Sequence, residues 1–264
     1  MKQAVKILRR ALFALAILLT AFVQAQSMVD VRFAEGLVRG FLVLQTMDGT
    51  VLAHGDLAQV PHDAHVTSHL VLRFKDGSMY DETVDFTQRG SFQVLNYHLV
   101  QEGPVFKVPM EMTIDRSTGK VRVRYTDEDG EEKEESERFE LPSDLANGMI
   151  PILLKNIARD AKQTTVSMVV ATPKPRLVKL EISPEGEAKF LAGGVSHKAT
   201  QYRMKVEIGG ILGFLAPLVG KQPQDSHAWV LDGDAPAFVR MEGPLFAGGP
   251  SWRIEPASPV WQER

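Results

Sequence analysis

Residues 141–159 are apolar on nearly every side of a helix, whereas the segments before and after them are typical of β-strands. We predict a helix over residues 143–158, with Ser143 as its N-cap. Gly148 and Pro151 predict that this helix is bent or broken, because proline removes one backbone hydrogen bond. A helix that is apolar on almost all sides must be covered on almost all sides. The simplest cover is a curved sheet folded around it.

The remaining chain alternates short runs of β-forming residues with turn signals at intervals of about eight to twelve residues, which is typical of a sandwich or barrel. These runs fall into two blocks, residues 36–140 and residues 164–257. We therefore predict a mainly β fold, in which one large curved antiparallel sheet, a half-barrel or open barrel, wraps around the helix. No internal repeat or low-complexity linker separates the blocks, so residues 26–264 are predicted to form a single domain.

One hairpin has a register that its alternating side chains determine. A two-residue turn would place Leu72 opposite Asp81 and would mix apolar and polar faces. A three-residue turn, Lys75–Gly77, places Leu72 opposite Tyr80 instead. We predict the three-residue turn, with Glu82 on the same face as Tyr80.

The first 25 residues have the organisation of an export signal. A basic region that includes Arg9 and Arg10 precedes the 13-residue apolar run Ala11–Val23, and small residues up to Ala25 predict cleavage before Gln26. The apolar run is shorter than the roughly 20 residues that a membrane span needs, so no integral span is predicted after cleavage. An uncleaved signal anchor is the alternative. We expect the mature protein to be periplasmic or secreted.

Charge and cysteine content exclude several classes of protein. The 264 residues carry a net charge of −3, and loss of the basic signal would make the chain more acidic. An acidic chain without a basic cluster is a poor candidate for binding nucleic acid. The sequence contains no cysteine, which excludes disulfides, cysteine-bound zinc and a thiol nucleophile.

The motifs of common enzymes are absent, and we predict no catalytic residue and no cofactor. There is no Gly-x-Ser-x-Gly elbow, His-Glu-x-x-His motif or phosphate-binding loop. Ser117 and Lys120 fit a Ser-x-x-Lys pattern, but they bracket a turn between strands instead of lying one helical turn apart. Asp81, Glu82 and Asp85 keep one alternative open, a hydrolase that depends on paired carboxylates.

Three histidines cluster in one short stretch. On a strand, His65 and His69 lie roughly 13 Å apart, which is too far for both to bind one metal ion. His62 and His65 could meet across the turn at Pro61. We nevertheless predict no metal site, and we expect an exposed polar face with His69 near Asp85.

The segment Gly209–Gly220 is the most apolar part of the chain after the signal, and its four glycines and one proline argue against a long regular element. We predict a hydrophobic flap over the mouth of a cavity, or a contact with a membrane or partner. A loop or short helix packed into the core is the alternative. The residues expected to contact an apolar ligand are Met149, Leu153, Ile211, Leu212, Phe214 and Leu215.

The order of export signal, strand meander, apolar helix and second strand block resembles uncharacterised bacterial cell-envelope families of unknown function. The residues that carry this resemblance are Asp144–Met149, Lys198–Tyr202, Trp229 and Pro236–Val239. The architecture is also similar to the periplasmic lipoprotein carriers, in which an open β half-barrel holds an apolar helix and binds acyl chains. The resemblances imply an exported envelope protein. Because the helix and the 209–220 segment carry more apolar surface than sheet alternation needs, we expect it to bind an apolar or lipid-like ligand beneath them. An envelope interaction or assembly protein without a small ligand is the alternative.

Overall fold

The computed structural model describes residues 28–158, 160–192, 195–207 and 223–257. The predicted signal peptide and the Gly209–Gly220 segment lie outside these ranges. In the described part of the chain, no helix is long and apolar enough to cross a membrane.

Fourteen strands of the described chain form one antiparallel sheet that does not close, as the sequence predicts. The strands are β1 Val38–Thr46, β2 Val51–Pro61, β3 Val66–Phe74, β4 Met79–Arg89, β5 Ser91–Glu102, β6 Met110–Asp115, β7 Lys120–Thr126, β8 Glu132–Arg138, β9 Thr164–Val170, β10 Arg176–Ala192, β11 Val195–Glu207, β12 Ser226–Leu231, β13 Ala237–Pro244 and β14 Ser251–Pro256.

The sheet consists of two meanders that meet in its middle. Strands β1 to β8 follow one another in space, as do β9 to β14, and the first and last strands, β1 and β14, pair antiparallel with Leu44 opposite Ile254. Strands β8 and β9 are therefore the two edges, although they follow each other in the chain. The connection between them contains the only helix among the described residues.

The predicted hairpin register is confirmed. Leu72 lies opposite Tyr80, and the backbone N–H of Gly77 donates to the carbonyl oxygen of Phe74 at 3.2 Å. Gly77 has a φ of 89°, a left-handed conformation that glycine adopts without a steric cost. The turn therefore keeps the apolar faces of β3 and β4 on one side of the sheet.

The helix is present but shorter than predicted. Helix α1 spans Ile150–Asn156, so Ser143 is not its N-cap, and Pro151 lies in its first turn, where a missing N–H is tolerated. Gly148 has a φ of 71° and interrupts the helical conformation before that turn. The residues from 144 to 147 bond to β9 instead, as Leu145 forms a parallel bridge with Ser167.

The two edges of the sheet are protected in different ways. All seven residues of β8 are exposed, and six of them are charged, which disfavours pairing with another strand. At the other edge, Asn147 Nδ2 donates to the carbonyl oxygen of Val169 at 2.8 Å, and its Oδ1 accepts from the Val169 N–H at 2.9 Å. The Asn147 amide therefore occupies backbone groups of β9 that a second molecule would otherwise bind.

The segment before β1 ties the end of the helix to the sheet. Asn156 Oδ1 accepts hydrogen bonds from the backbone N–H groups of Arg32 and Phe33 at 2.9 and 2.7 Å. Lys155 Nζ lies 2.6 Å from Glu35 Oε1, and both side chains are largely buried. The helix is therefore fixed against the concave side of the sheet at its C-terminal end.

Candidate functional site

One row of inward-facing side chains is less buried than the rows on either side of it. Leu57, Leu70 and Glu82 face one another across β2, β3 and β4, and all three are partly exposed. The row continues to Gly40 on β1, which is also partly exposed. We call Gly40, Leu57, Leu70 and Glu82 the concave row.

The rows beside the concave row are buried in the same three strands. On one side these residues are Gly55, Leu72 and Tyr80, and on the other side they are Gln59, Ser68 and Val84. Among these rows of β2, β3 and β4, partial exposure is confined to the middle one. The row lies on the side of the sheet that carries the apolar core, against which Leu70 packs.

Glu82 is the charged member of the concave row, and two tyrosines hold it in place. The hydroxyls of Tyr80 and Tyr97 donate to Glu82 Oε1 at 3.0 and 2.7 Å. The rings of both tyrosines are buried. Because β4 and β5 pair with Val84 opposite Tyr97, the two hydroxyls approach the carboxylate from neighbouring strands.

Burial controls the protonation of this cluster. Desolvation raises the pKa of the Glu82 carboxyl, and the hydrogen bonds from Tyr97 and Tyr80 offset part of that increase. Desolvation and the nearby carboxylate hold the pKa values of both tyrosines well above the ordinary value. The tyrosines therefore remain donors at neutral pH, and Glu82 Oε1 remains the acceptor.

The second carboxylate oxygen of Glu82, Oε2, differs from Oε1 in its hydrogen bonding. No side chain or backbone group in the described ranges donates to Oε2, since both hydrogen bonds go to Oε1. Glu82 as a whole is partly exposed, so Oε2 is the carboxyl oxygen that the tyrosines leave as a potential acceptor.

Packed layers lie on both sides of the concave row. Gly148, just before helix α1, lies so close to the neighbouring row that an added Cβ would be 2.9 Å from Val84 and 3.2 Å from the Tyr97 ring. On the other side, four aromatic rings pack with centroid distances of 5.1 to 5.8 Å. These rings belong to Phe74, Phe106, Phe246 and Trp252.

The residues predicted from the sequence to contact a ligand are only partly described. Met149 and Leu153 are buried in the core, with exposures of 0% and 4%. Ile211, Leu212, Phe214 and Leu215 lie outside the described residues. Contact of these six residues with a ligand stays a prediction.

Sequence reasoning placed Glu82 on the face of Tyr80 but also grouped it with Asp81 and Asp85 as a possible carboxylate pair. The structure separates them, because alternate residues of β4 point to opposite sides of the sheet. The signal that identifies Glu82 is its position between Tyr80 and Val84 in an otherwise apolar inward pattern.

The convex face carries histidine–carboxylate pairs. His69 Nε2 lies 2.8 Å from Asp81 Oδ1, so its hydrogen-bond partner is Asp81 and not Asp85. Asp85 accepts from Thr67 Oγ1 at 2.6 Å. The pairing follows from the register, which places Thr67 directly opposite Asp85. These groups lie on a partly exposed surface of the sheet.

Two other clusters contain residue types that occur in active sites. The rings of His62 and His65 stack at 4.6 Å, but no group of three or more potential metal ligands occurs among the described residues. Lys179 Nζ lies 2.7 Å from Ser167 Oγ and 3.1 Å from Asp144 Oδ2. Ser167 is 0% exposed, so a substrate cannot reach its hydroxyl, and we assign this cluster to attachment of residues 144–147 to the sheet.

Ser117 and Lys120 also have a structural place. Ser117 Oγ donates to Asp115 Oδ1 at 2.6 Å within the turn between β6 and β7, and Lys120 begins β7. The Ser117 side chain therefore stabilises the turn, and Ser117 and Lys120 lack the one-turn helical spacing that Ser-x-x-Lys enzymes use.

No protein-family model, curated protein or solved structure matches this chain.

Proposed function

We propose that this chain is an exported cell-envelope protein that binds an apolar, lipid-like ligand on the concave side of its sheet. The observation that carries the proposal is the concave row, where Leu57 and Leu70 remain partly exposed between two buried rows. Burial of apolar surface contributes about 25 cal/mol per Å², so a chain-like ligand that covers these side chains gains affinity from the contact.

The site also has the composition of a small-molecule site. Such sites are concave and mostly apolar, with a few polar groups that fix the orientation of the ligand. Leu57 and Leu70 supply the apolar part, and Glu82 with its two tyrosines supplies the polar part. The rigid sheet positions all of these groups, since Glu82 and Tyr97 lie on paired strands.

The test is to fill the space over the concave row. In Leu57→Trp the larger side chain occupies the proposed site, and we expect binding of an apolar fluorescent probe to fall at least tenfold. Ala58→Trp is the matched control, because Ala58 is the next residue on the same strand and points to the convex face. Its probe affinity is expected to equal that of the wild type.

Native mass spectrometry after extraction with organic solvent provides an independent measurement. A lipid-like molecule that co-purifies with the wild type and is depleted in Leu57→Trp supports the proposal. Failure of the folded wild type both to retain such a molecule and to bind the probe would reject it.

A second candidate function, contact with another envelope protein, is favoured by an exposed apolar patch. Leu37 is 77% exposed, and Phe41 and Val60 are 42% and 41% exposed on the convex side of β1 and β2. Exposed apolar patches are typical of interaction sites. If this patch binds a protein, the double change Phe41→Ser and Val60→Ser should abolish a specific cross-link in the envelope and leave probe binding intact. An unchanged cross-linking pattern would reject the patch as an interface.

A further inference from the structure

The polar end of the proposed ligand must be compatible with Glu82, because Glu82 is the carboxyl group on the concave row and the residue is partly exposed. Both tyrosine hydroxyls donate to Oε1, which leaves Oε2 as the oxygen without a donor among the described residues. We propose that the chain selects amphiphiles whose polar end is a protonated amine, which donates a hydrogen bond to Glu82 Oε2. This inference rests on the proposed function and names the chemical class of its ligand.

Charge complementarity supports an amine. No ion pair involving Glu82 occurs in the described part of the chain, and its in-register neighbours on the adjacent strands are Leu70 and Leu99. A carboxylate in apolar surroundings is stabilised by an opposite charge within about 4–6 Å. A ligand ammonium group supplies that charge, and a charge-assisted hydrogen bond of this type is roughly twice as strong as a neutral one.

The same geometry disfavours an anionic end. A fatty-acid carboxylate beside Glu82 would bring two like charges together, and one of them would have to bind a proton. Tyr80 and Tyr97 cannot relieve this repulsion, because their hydroxyls already donate to Oε1 of Glu82. The site therefore discriminates by charge at one end of the ligand.

The apolar part of the ligand has a direction in which to extend. From Glu82 the concave row crosses Leu70 on β3 and Leu57 on β2 and reaches Gly40 on β1. Three inter-strand steps of about 4.8 Å give a span of roughly 14 Å, which is comparable to an extended dodecyl chain. Gly40 has no neighbouring heavy atom within 4 Å of the position where a Cβ would lie, so the row stays open at its β1 end.

The test compares three probes that share one apolar chain and differ only at the polar end: dodecylammonium, dodecanol and dodecanoate. Each displaces an apolar fluorophore from the full-length protein near pH 7.5, below its micelle concentration. We expect the wild type to bind dodecylammonium at least tenfold more tightly than dodecanoate, with dodecanol between them. In Glu82→Gln this preference should fall to less than threefold.

Asp81→Asn is the matched control, because it removes the same charge from the adjacent residue on the convex face. It should retain the tenfold preference, whereas loss of the preference in both variants would assign it to the general charge of the protein and overturn the inference. Equal binding of dodecylammonium and dodecanoate by the wild type would also overturn it, and this outcome does not require the variant to fold. If the wild type binds all three probes tightly and equally, the proposed function still stands. If it binds none of them, both the proposed function and this inference are rejected.

Discussion

Glu82 links the fold and the proposed site at the scale of a single residue. An ionised carboxyl on an apolar face is unfavourable unless it is hydrogen-bonded, and here two tyrosine hydroxyls supply those bonds. Because burial raises its pKa above the ordinary value of 4.5, the folded chain binds this proton more tightly than the unfolded chain. The free energy of unfolding therefore decreases as the pH rises from about 4.5 through the raised pKa.

This decrease can be measured with Glu82→Gln, which has no proton to release at this position. Relative to the wild type, the glutamine variant should become more stable as the pH rises from 4.5 to 8. Urea unfolding of both proteins across this range gives the difference in free energy. Glu137→Gln in exposed β8 is the control and should show little change, while a flat difference for Glu82→Gln would contradict the assigned environment.

Gly148 is the second residue on which the concave side depends. Replacement with alanine places a Cβ 2.9 Å from Val84 and requires a non-glycine residue at a φ of 71°. The backbone effect costs about 1–2 kcal/mol and the crowding about 1–3 kcal/mol. We expect Gly148→Ala to lower the free energy of unfolding by about 2–5 kcal/mol in urea denaturation.

Gly130→Ala separates the two effects of that change. Gly130 also has a positive φ, of 81°, but nothing lies within 4 Å of its added Cβ. Gly130→Ala should therefore lower the free energy of unfolding only by the cost of the backbone conformation, about 1–2 kcal/mol. Equal losses in the two variants would mean that Gly148 is not in close contact with Val84 and Tyr97.

At the scale of elements, Asn147 protects the Val169 part of the β9 edge, beside the backbone hydrogen bonds that residues 144 and 146 make to Ser167. Asn147→Ala removes both hydrogen bonds to Val169 and leaves a buried N–H and C=O unpaired, which costs about 1–3 kcal/mol for each group. We expect a loss of at least about 2 kcal/mol in chemical denaturation and a tendency to self-associate through the opened edge. Sedimentation of a stable monomer with unchanged stability would contradict this role.

Much of the sheet could be predicted from the sequence, because strand alternation is a local pattern. The β3–β4 register follows from the requirement that Leu72 and Tyr80 share an apolar face, and the structure has that register. Strand β10 spans Arg176–Ala192 and contains the turn-like residues Pro184 and Gly186, where its register with β11 is irregular. Pairing with β11 on both sides of these residues carries the strand through them.

The helix boundary could not be predicted, since it depends on contacts between distant residues. Residues 144–147 have helical apolar spacing, but they bond to β9, and β9 begins some twenty residues later in the chain. The acceptor position of Glu82 was missed for the same reason, because Tyr97 reaches it from the next strand. Local patterns determined the faces of the strands, whereas pairing in space determined the site.

At the scale of the whole molecule, the sheet should be most stable in its middle and least stable at β8. Strands β1 to β5 each pair on two sides and carry much of the buried core, while β8 pairs only with β7 and is fully exposed. Local opening needs the least free energy where few apolar contacts are broken. Amides of β8 should therefore exchange with deuterium far faster than those of β3 and β4, and equal protection would indicate that another molecule covers that edge.

The most direct measurement is a crystal structure of the protein with dodecylammonium that carries bromine on its terminal carbon. We expect the amine nitrogen about 3 Å from Glu82 Oε2 and an anomalous bromine peak over the concave row near Leu57 and Gly40. A bound probe whose bromine lies on the convex face, or whose amine contacts a different carboxylate, would exclude the concave row as the binding site.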